Sequence, residues 1–447
     1  MNLEDFKNKN KSSPKVLSEM NLSHDINIGK DILELLTSGM YLEPLTIYRE
    51  YIQNAADSIE SAVKIGLLDS VTAGKIDISV NYIDRSITIE DNGTGINEKY
   101  FSNILTSFGN SPKRGTDARG FRGIGRLAGL AYCQELIFYS KTDDDEHVNV
   151  LKYDCRKLKL ALINTDNKLG LREIVKDITK LEKQENLSDK KRFFKVELRK
   201  ISRLKNDLLL NNMEIEKYIS EVCPVPFSPE FKFGNEIKNF LDKYQNLSEH
   251  NIYLNQKSQI YRMFRNTFDF NAKVSDHFNE FEKIKVIDNE NNLLAIGFLL
   301  HHNYLGAINN NTGLTGLRAR VGNIQIGENK IFLDLYPEAR FNSWTIGELH
   351  VLNKKLTPNG RRDDFEKNNH YYNFLNYVSL ITKSIANICR TKSSIRGQDK
   401  IIDFNNIKSA KREKAVTDIL VEVRKHINDE SKIKSIKSII YEHILKF

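Results

Sequence analysis

The sequence predicts an α+β protein of two domains followed by a helical C-terminal segment. Segments with apolar residues three or four positions apart, typical of helices, alternate with short runs typical of strands. The segment Cys223-Pro-Val-Pro-Phe separates two such regions, because paired prolines interrupt both helix and sheet. From Asn369 the helical spacing continues to the end of the chain. With 447 residues, the chain is long enough for two or three domains with sizeable cores.

The first predicted domain follows a polar segment, residues 1–24, which we expect to be flexible. A long helix is predicted from about Leu45 to Lys64, because apolar residues there recur with helical spacing. The runs Ile76–Tyr82 and Arg85–Glu90 predict a β-hairpin. The charged stretch Lys176–Lys191 is expected to be an insertion, either helical or loose.

The second predicted domain alternates strand-like and helix-like runs between about residues 230 and 365. The strand-like runs are Ile284–Ile287, Leu293–Leu300, Leu317–Ile326, Ile331–Leu335 and Ile346–Val351. We therefore expect a first domain over residues 25–220, a second α+β domain over 221–366 and a helical, basic segment over 367–447.

Composition excludes several classes of protein. Apolar residues make up 40% and charged residues 28% of the chain, which is ordinary for a globular protein and unlike a disordered or fibrous one. No apolar run approaches the roughly 20 residues needed to cross a bilayer, and no secretory signal is readable. The four cysteines have no metal-binding spacing, so we expect reduced thiols in a cytoplasmic protein.

Most of the net charge of +8 lies near the C-terminus. From Arg390 onward, 14 Lys and Arg against 8 Asp and Glu give +6. This charge fits a solvated helical face, and it also fits a basic arm that contacts nucleic acid or an acidic partner. Apolar stripes in the same segment could pair between chains or pack onto the second domain.

The first of three chemical motifs lies on the predicted long helix. Glu50, Asn54 and Asp57 stand at i, i+4 and i+7, so they project from one helix face. A glutamate can take a proton from a positioned water, and an asparagine oxygen can serve a hydrated metal ion. The polar face of a surface helix would have the same spacing.

The second motif is Asp91-Asn-Gly93-Thr-Gly95, directly after a predicted strand. A carboxylate at a strand end can accept a hydrogen bond from an exocyclic amine such as that of adenine. The two glycines let the backbone approach a flat ring closely. The same residues are also typical of an ordinary turn.

The third motif is Gly120-Phe-Arg-Gly123-Ile-Gly125, before an apolar segment. Glycines at the start of a helix expose backbone N–H groups that suit phosphate. Gly123, Gly125 and Ala128 also satisfy the dinucleotide pattern GxGxxG/A, but no buried strand precedes them.

In this order and spacing, the three motifs resemble those of the GHKL ATPases, which include gyrase B, heat-shock protein 90, MutL, MORC proteins and histidine kinases. The resemblance implies a Bergerat-fold α/β sandwich that binds ATP and Mg²⁺. It implies that Glu50 is the general base, Asn54 a Mg²⁺ ligand and Asp91 the reader of adenine. The other ATP-binding residues that it implies are Asp57, Gly93, Gly95, Lys113, Gly120, Gly123, Ile124 and Gly125. The strand beginning Phe193-Phe lies where these ATPases usually have Gly-Thr.

A loop in the second domain narrows the resemblance to the heat-shock protein 90-like branch. Leu356-Thr-Pro-Asn359-Gly-Arg-Arg362-Asp resembles the catalytic loop of that branch's S5-like middle domain. The resemblance implies that Arg362 reaches the γ-phosphate when the lid closes and that Asn359 helps to hold the loop. A fixed guanidinium suits charge spread over phosphoryl oxygens. A Pro-Asn-Gly turn before a charged helix start would fit the same residues.

Two functions follow from the resemblance. One is a slow ATPase with a heat-shock protein 90-like conformational cycle, acting on a client protein or partner subunit. The other is an ATP-switched clamp that associates with DNA, or a nucleic-acid or phage-defence subunit, resembling MutL or MORC proteins. Homodimerisation is expected in either case, and nothing in the residues separates chaperone, repair and antiviral roles.

Overall fold

A computed structural model describes residues 43–107, 125–164, 170–186, 190–256, 258–271, 274–427 and 429–443. The fold is mixed α+β with two sheet-containing regions and C-terminal helices, which confirms the predicted fold class. The chain divides into two compact units. The first comprises Met1–Ser58 and Ser79–Leu210, and the second comprises Ile59–Ile78 and Asn211–Phe447.

Eight α-helices are assigned within the described ranges. They are α1 (Thr46–Lys64), α2 (Glu98–Thr106), α3 (Cys155–Ile163), α4 (Leu171–Ile178), α5 (Asn212–Val222), α6 (Gly234–Asp242), α7 (Asn369–His426) and α8 (Glu430–His443). Short 3-10 helices include Gly125–Ala131, Lys205–Leu210, Leu333–Leu335 and Ala339–Trp344. Within the described part of the chain, no helix is long and apolar enough to span a membrane.

The strands assigned within the same ranges number fifteen. They are β1 (Lys75–Asn81), β2 (Ser86–Asp91), β3 (Glu135–Lys141), β4 (Val148–Asp154), β5 (Thr179–Gln184), β6 (Phe193–Arg199), β7 (Asn251–Leu254), β8 (Ser258–Gln259), β9 (Thr267–Asn271), β10 (Val274–His277), β11 (Glu280–Ile287), β12 (Leu293–His301), β13 (Gly316–Val321), β14 (Ile324–Ile326) and β15 (Ile346–Val351).

The strands that lie wholly within the first unit follow the order β5-β4-β3-β6-β2 in their sheet. The pairs from β5 to β2 are antiparallel. One face carries Leu136 and Leu198 and is covered by helices, since both side chains and Tyr51 of α1 surround the backbone of Gly129. A second group of buried side chains lies on the opposite face and includes Phe193.

Local sequence explains why the elements that carry the site form. In α1 the apolar residues with helical spacing, among them Tyr48, Ile52, Ala56 and Ile59, are buried. In β2, burial alternates along the strand, so that Ile87, Ile89 and Asp91 share the covered face. Asn97 caps α2 by accepting a hydrogen bond from the Lys99 amide. The predicted hairpin is thus present as β1 and β2.

In the second unit a five-stranded sheet has the order β11-β12-β15-β13-β14. One face packs against the N-terminal part of α7, including Phe374, Val378 and Ile385, which share a core with Leu317 and Leu349. The other face carries an aromatic cluster of Phe227, Phe231, Phe264, Phe278 and Phe298. The two cores bury the sheet on both sides, which explains why every residue of β15 is buried.

The second unit also contains what we call the buried ionic cluster, formed by Glu221, Arg262, Arg318, Arg320, Glu348 and His350. Glu348 lies 2.6 Å from Nη1 of Arg262 and 2.8 Å from Nε of Arg320. Burial alone would raise the pKa of Glu348, but these two guanidinium groups hold it well below its usual range. Arg318 contacts Glu221 at 3.3 Å. The cluster links the end of α5 to the sheet, because Arg320 also donates to the carbonyl of Glu221.

Two local predictions were wrong. Within Lys176–Lys191, which was expected to be helical or loose, residues 179–184 form β5 and pair with β4. In Ile331–Leu335, which was expected to be a strand, Leu333–Leu335 is a 3-10 helix. The predicted helical C-terminal region begins at Asn369, where the side chain of Asn368 caps α7. In α8, Ile433 and Ile440 are buried whereas Ile439 is 54% exposed.

Candidate nucleotide-binding site

The three polar residues predicted on one helix face all lie on α1. Glu50 and Asn54 are partly exposed, whereas Asp57 is buried. The opposite side of α1 is held in the core, so the helix presents a fixed backbone to the site. Four predicted lid residues, Lys113, Gly120, Gly123 and Ile124, lie outside the described residues.

The carboxylate of Glu50 is held by two contacts. Nη2 and Nε of Arg49 lie 3.0 and 3.3 Å from Oε1. On the other side, a Cβ added to Gly125 would lie only 2.1 Å from Oε2, so the carboxylate packs directly on the glycine backbone. The first and third motifs therefore meet at this carboxylate. Sequence reasoning missed Arg49, because adjacent residues of a helix carry no spacing signal of an interaction.

Tyr51 joins α1 to the 3-10 helix that begins at Gly125. Its hydroxyl accepts a hydrogen bond from the Gly129 amide at 2.9 Å and donates to the Arg126 carbonyl at 3.1 Å. Burial lowers the pKa of Arg126, whose guanidinium donates to the carbonyl of Ser107. These contacts fix the position of Gly125 relative to Glu50. Tyr51 was also missed, since its partners Arg126 and Gly129 are far away in sequence.

Asp91, the first residue of the second motif, is the last residue of β2. The residue is buried, and its Oδ1 accepts a hydrogen bond from the Gly93 amide at 2.9 Å. The following amide, that of Thr94, donates to the hydroxyl of Ser58 on α1 at 3.1 Å. The turn after β2 is thus fastened to the same helix that carries Glu50.

The packing of the protein itself requires glycine at both positions of this turn. A Cβ on Gly93 would lie 2.2 Å from the Ser58 hydroxyl. Gly95 has φ +66°, and a Cβ there would lie 2.4 Å from the carbonyl of Lys141. The sequence argument assigned both glycines to the close approach of a flat ring. In the structure, the direction that each Cβ would take is filled by the protein itself.

The loop that contains Asn359 and Arg362 is closed within the second unit. The amide of Asn359 donates to the carbonyl of Asp364 at 2.9 Å, and its side chain donates to Asp363 at 2.6 Å. Arg362 is buried, with φ +58°, and its carbonyl accepts from the amide of Gly327 at 2.8 Å. A non-glycine residue in this conformation is strained, and such strain is concentrated at functional loops.

Comparison with known protein families gives a match in the N-terminal half of the chain. A family model described as "Histidine kinase-, DNA gyrase B-, and HSP90-like ATPase" matches residues 47–184. This range contains the described site residues from Glu50 to Gly125, and it ends before the second-unit loop.

Individual relatives match over short stretches. The chaperone protein HtpG of Sulfurovum sp. (strain NBC37-1) is 34% identical over 92 residues, which are 20% of this chain and 14% of that protein. HtpG of Aliarcobacter butzleri is 33% identical over 92 residues, 19% of this chain and 14% of that protein. HtpG of Clostridium acetobutylicum is 26% identical over 132 residues, 26% of this chain and 21% of that protein. The matched stretches thus span less than a quarter of these relatives' length.

Proposed function

We propose that this chain binds ATP with Mg²⁺ and hydrolyses it slowly, since residues 47–184 match the histidine kinase-, DNA gyrase B- and HSP90-like ATPase family. The observation that carries the proposal is the packing of the Glu50 carboxylate on the backbone of Gly125. The candidate base thus contacts Gly125, a glycine of the motif proposed to bind the phosphates.

The base of ATP is proposed to bind at Asp91. Its carboxylate is buried and its Oδ1 is oriented by the Gly93 amide. A carboxylate fixed in this way suits an exocyclic amine, because an ionised carboxylate accepts hydrogen bonds on both of its oxygens. Asp57, Gly93 and Gly95 are proposed to line the same region.

The phosphates are proposed to extend toward Asn54 and Gly125. Mg²⁺ usually retains several waters and binds one or two protein oxygens together with substrate phosphates. The part of the chain that the structure describes has no group of three or more His, Cys, Asp or Glu that could hold a metal ion. The partly exposed amide of Asn54, one turn from Glu50, fits such a sparse protein contribution. When bound, the ion would neutralise charge on the phosphoryl oxygens.

In the proposed hydrolysis step, Glu50 takes a proton from a water as that water's oxygen attacks the γ-phosphorus and the bond to ADP breaks. Arg49 holds the carboxylate in place. The lid residues Lys113, Gly120, Gly123 and Ile124 stay predictions. Turnover is expected to be slow, because closure of a lid must assemble such a site before chemistry starts.

The second unit is proposed to supply Arg362 to the γ-phosphate. The burial of Arg362 and the closure of its loop by Asn359 are the observations that favour this residue over an ordinary surface arginine. The name of the relatives, chaperone protein HtpG, leads us to propose that the cycle acts on a client protein. The homodimer expected from the sequence stays a prediction.

The proposal is tested by comparing three variants with the wild type. Glu50→Ala should bind ATP but lose turnover by roughly a hundredfold or more, since a positioned base contributes about 10²–10⁴. Asp91→Asn should lose ATP binding, because the amide presents a donor to an amine. Glu98→Ala removes an exposed glutamate at the start of α2 and serves as the matched control. Full turnover by Glu50→Ala would show that the assigned base is wrong.

The alternative function, an ATP-switched clamp on DNA, is favoured by the charge of the C-terminal helices. Residues from Arg390 onward carry 14 basic and 8 acidic side chains. Lys432, Lys434 and Lys437 are exposed on α8. This alternative predicts DNA affinity that falls steeply with salt and disappears when Lys432, Lys434 and Lys437 are replaced together by glutamine. Absence of binding to DNA at low salt would exclude it.

A further inference from the structure

One row of side chains crosses the centre of the first unit's sheet at the level of Asp91. Asp91 of β2 pairs directly with Phe194 of β6, and Phe194 pairs with Ser140 of β3. Directly paired residues of neighbouring strands project from the same face of a sheet. The Phe194 ring therefore lies on the helix-covered face, next to the carboxylate proposed to bind the base.

Phe194 differs in exposure from the other residues of β6 on this face. Val196 and Leu198 are buried, whereas Phe194 is partly exposed. The exposure does not come from a sheet edge, since β6 lies between β2 and β3. Phe194 is partly exposed because it lies near the first residue of β6, at the same end of the sheet as Asp91.

The Phe194 ring is held in place by a second aromatic ring. Phe194 stacks on Phe138 with ring centroids 6.0 Å apart and an angle of 30° between the planes. Phe138 is fully buried, so it forms a fixed base for the exposed ring. A supported aromatic surface beside a buried acceptor matches the two halves of a nucleobase, a flat apolar ring and an exocyclic donor.

We infer that Phe194 forms the apolar wall of the base subsite and contacts the purine ring. This inference rests on the proposed function and adds a residue to it that the three motifs do not contain. The phenyl ring has no hydrogen-bonding group, so Asp91 provides the polar recognition of the base. The contribution of Phe194 should consequently be the same for purines with and without a 6-amino group.

The test measures the affinity of the full chain for three probes: ATP, purine riboside triphosphate and inorganic tripolyphosphate. Phe194→Ala should weaken both nucleotides about tenfold, a moderate value for an aromatic–base contact. It should leave tripolyphosphate within about twofold of the wild type, because that probe has no base. Phe194→Leu should give an intermediate loss for the nucleotides.

The matched control is Phe193→Leu, the same change at the adjacent residue, whose ring is buried on the opposite face of the sheet. It is expected to lower the thermal unfolding temperature without changing nucleotide affinity. Equal losses for all three probes in Phe194→Ala would assign Phe194 a merely structural role and overturn the inference, as would unchanged ATP affinity. Failure of the wild type to bind ATP would overturn the proposed function and the inference with it.

Discussion

Substitution of Gly125 by alanine tests whether the position of the Glu50 carboxylate matters for turnover. The new methyl group would lie 2.1 Å from Oε2 and 3.1 Å from Cδ of Glu50, whereas ordinary contact begins at 3.4 Å. The carboxylate must therefore move by about 1 Å, and it can do so because it is the free end of a flexible side chain. Gly125 does not have a positive φ, so its backbone accepts alanine without strain.

The expected magnitude follows from this geometry. Misplacement of a reacting group by about 1 Å costs on the order of 10²-fold in rate. We expect Gly125→Ala to lower the ATPase turnover by about that factor. The free energy of unfolding should change by less than about 1 kcal/mol, because no core contact is lost.

Steady-state ATPase assays, ATP titrations and urea unfolding of Gly125→Ala would measure these three quantities. The double variant Glu50→Ala/Gly125→Ala supplies the control, because the methyl group has no carboxylate to displace once Glu50 is absent. The double variant should be no slower than Glu50→Ala. Wild-type turnover in Gly125→Ala, or a further loss in the double variant, would refute the reasoning.

Two further predictions concern the buried ionic cluster. Glu348→Gln leaves the arginines buried without their carboxylate and should lower the free energy of unfolding by about 3–5 kcal/mol. Urea unfolding measures this change. The control is Glu282→Gln, because the side chain of Glu282 is 55% exposed. Burial lowers the pKa of His350 from its ordinary 6.5 to about 4, so between those values the unfolded chain binds a proton that the folded chain does not. Stability should therefore fall as pH decreases from 6.5 to 4, by up to about 3 kcal/mol in total. In His350→Gln this part of the slope should disappear, and an unchanged slope would contradict the assignment.

The elements that sequence patterns predicted well are those whose own residues determine them. The long helix that became α1 has apolar residues at helical spacing, and β2 alternates buried and less buried residues. The beginning of α7 at Asn369 follows from the capping side chain of Asn368. In each case a local pattern, readable within one segment, decides the structure.

The elements that were missed depend on distant partners. β5 consists of Thr-Lys-Leu-Glu-Lys-Gln, which has no alternation of apolar residues, and only pairing with β4 makes it a strand. The buried ionic cluster was unreadable for the same reason. Charged residues such as Arg318 and Glu348 are usually exposed, and the partners that allow their burial are far away in sequence.

The structure adds to the predicted site residues the contacts that position the described ones, which no sequence pattern showed. The proposal that Glu50 acts as a base came from the resemblance of the three motifs to those of the GHKL ATPases, whereas the position of its carboxylate depends on Arg49 and Gly125. None of these contacts lies in the apolar core, and the buried ionic cluster belongs to the other compact unit. Variants at Glu50 or Gly125 should therefore change turnover with little change in stability, and variants of the cluster should lower stability with no defect in ATP binding by the folded fraction. Loss of both properties together in either set would mean that the site depends on the global packing and not on these local contacts.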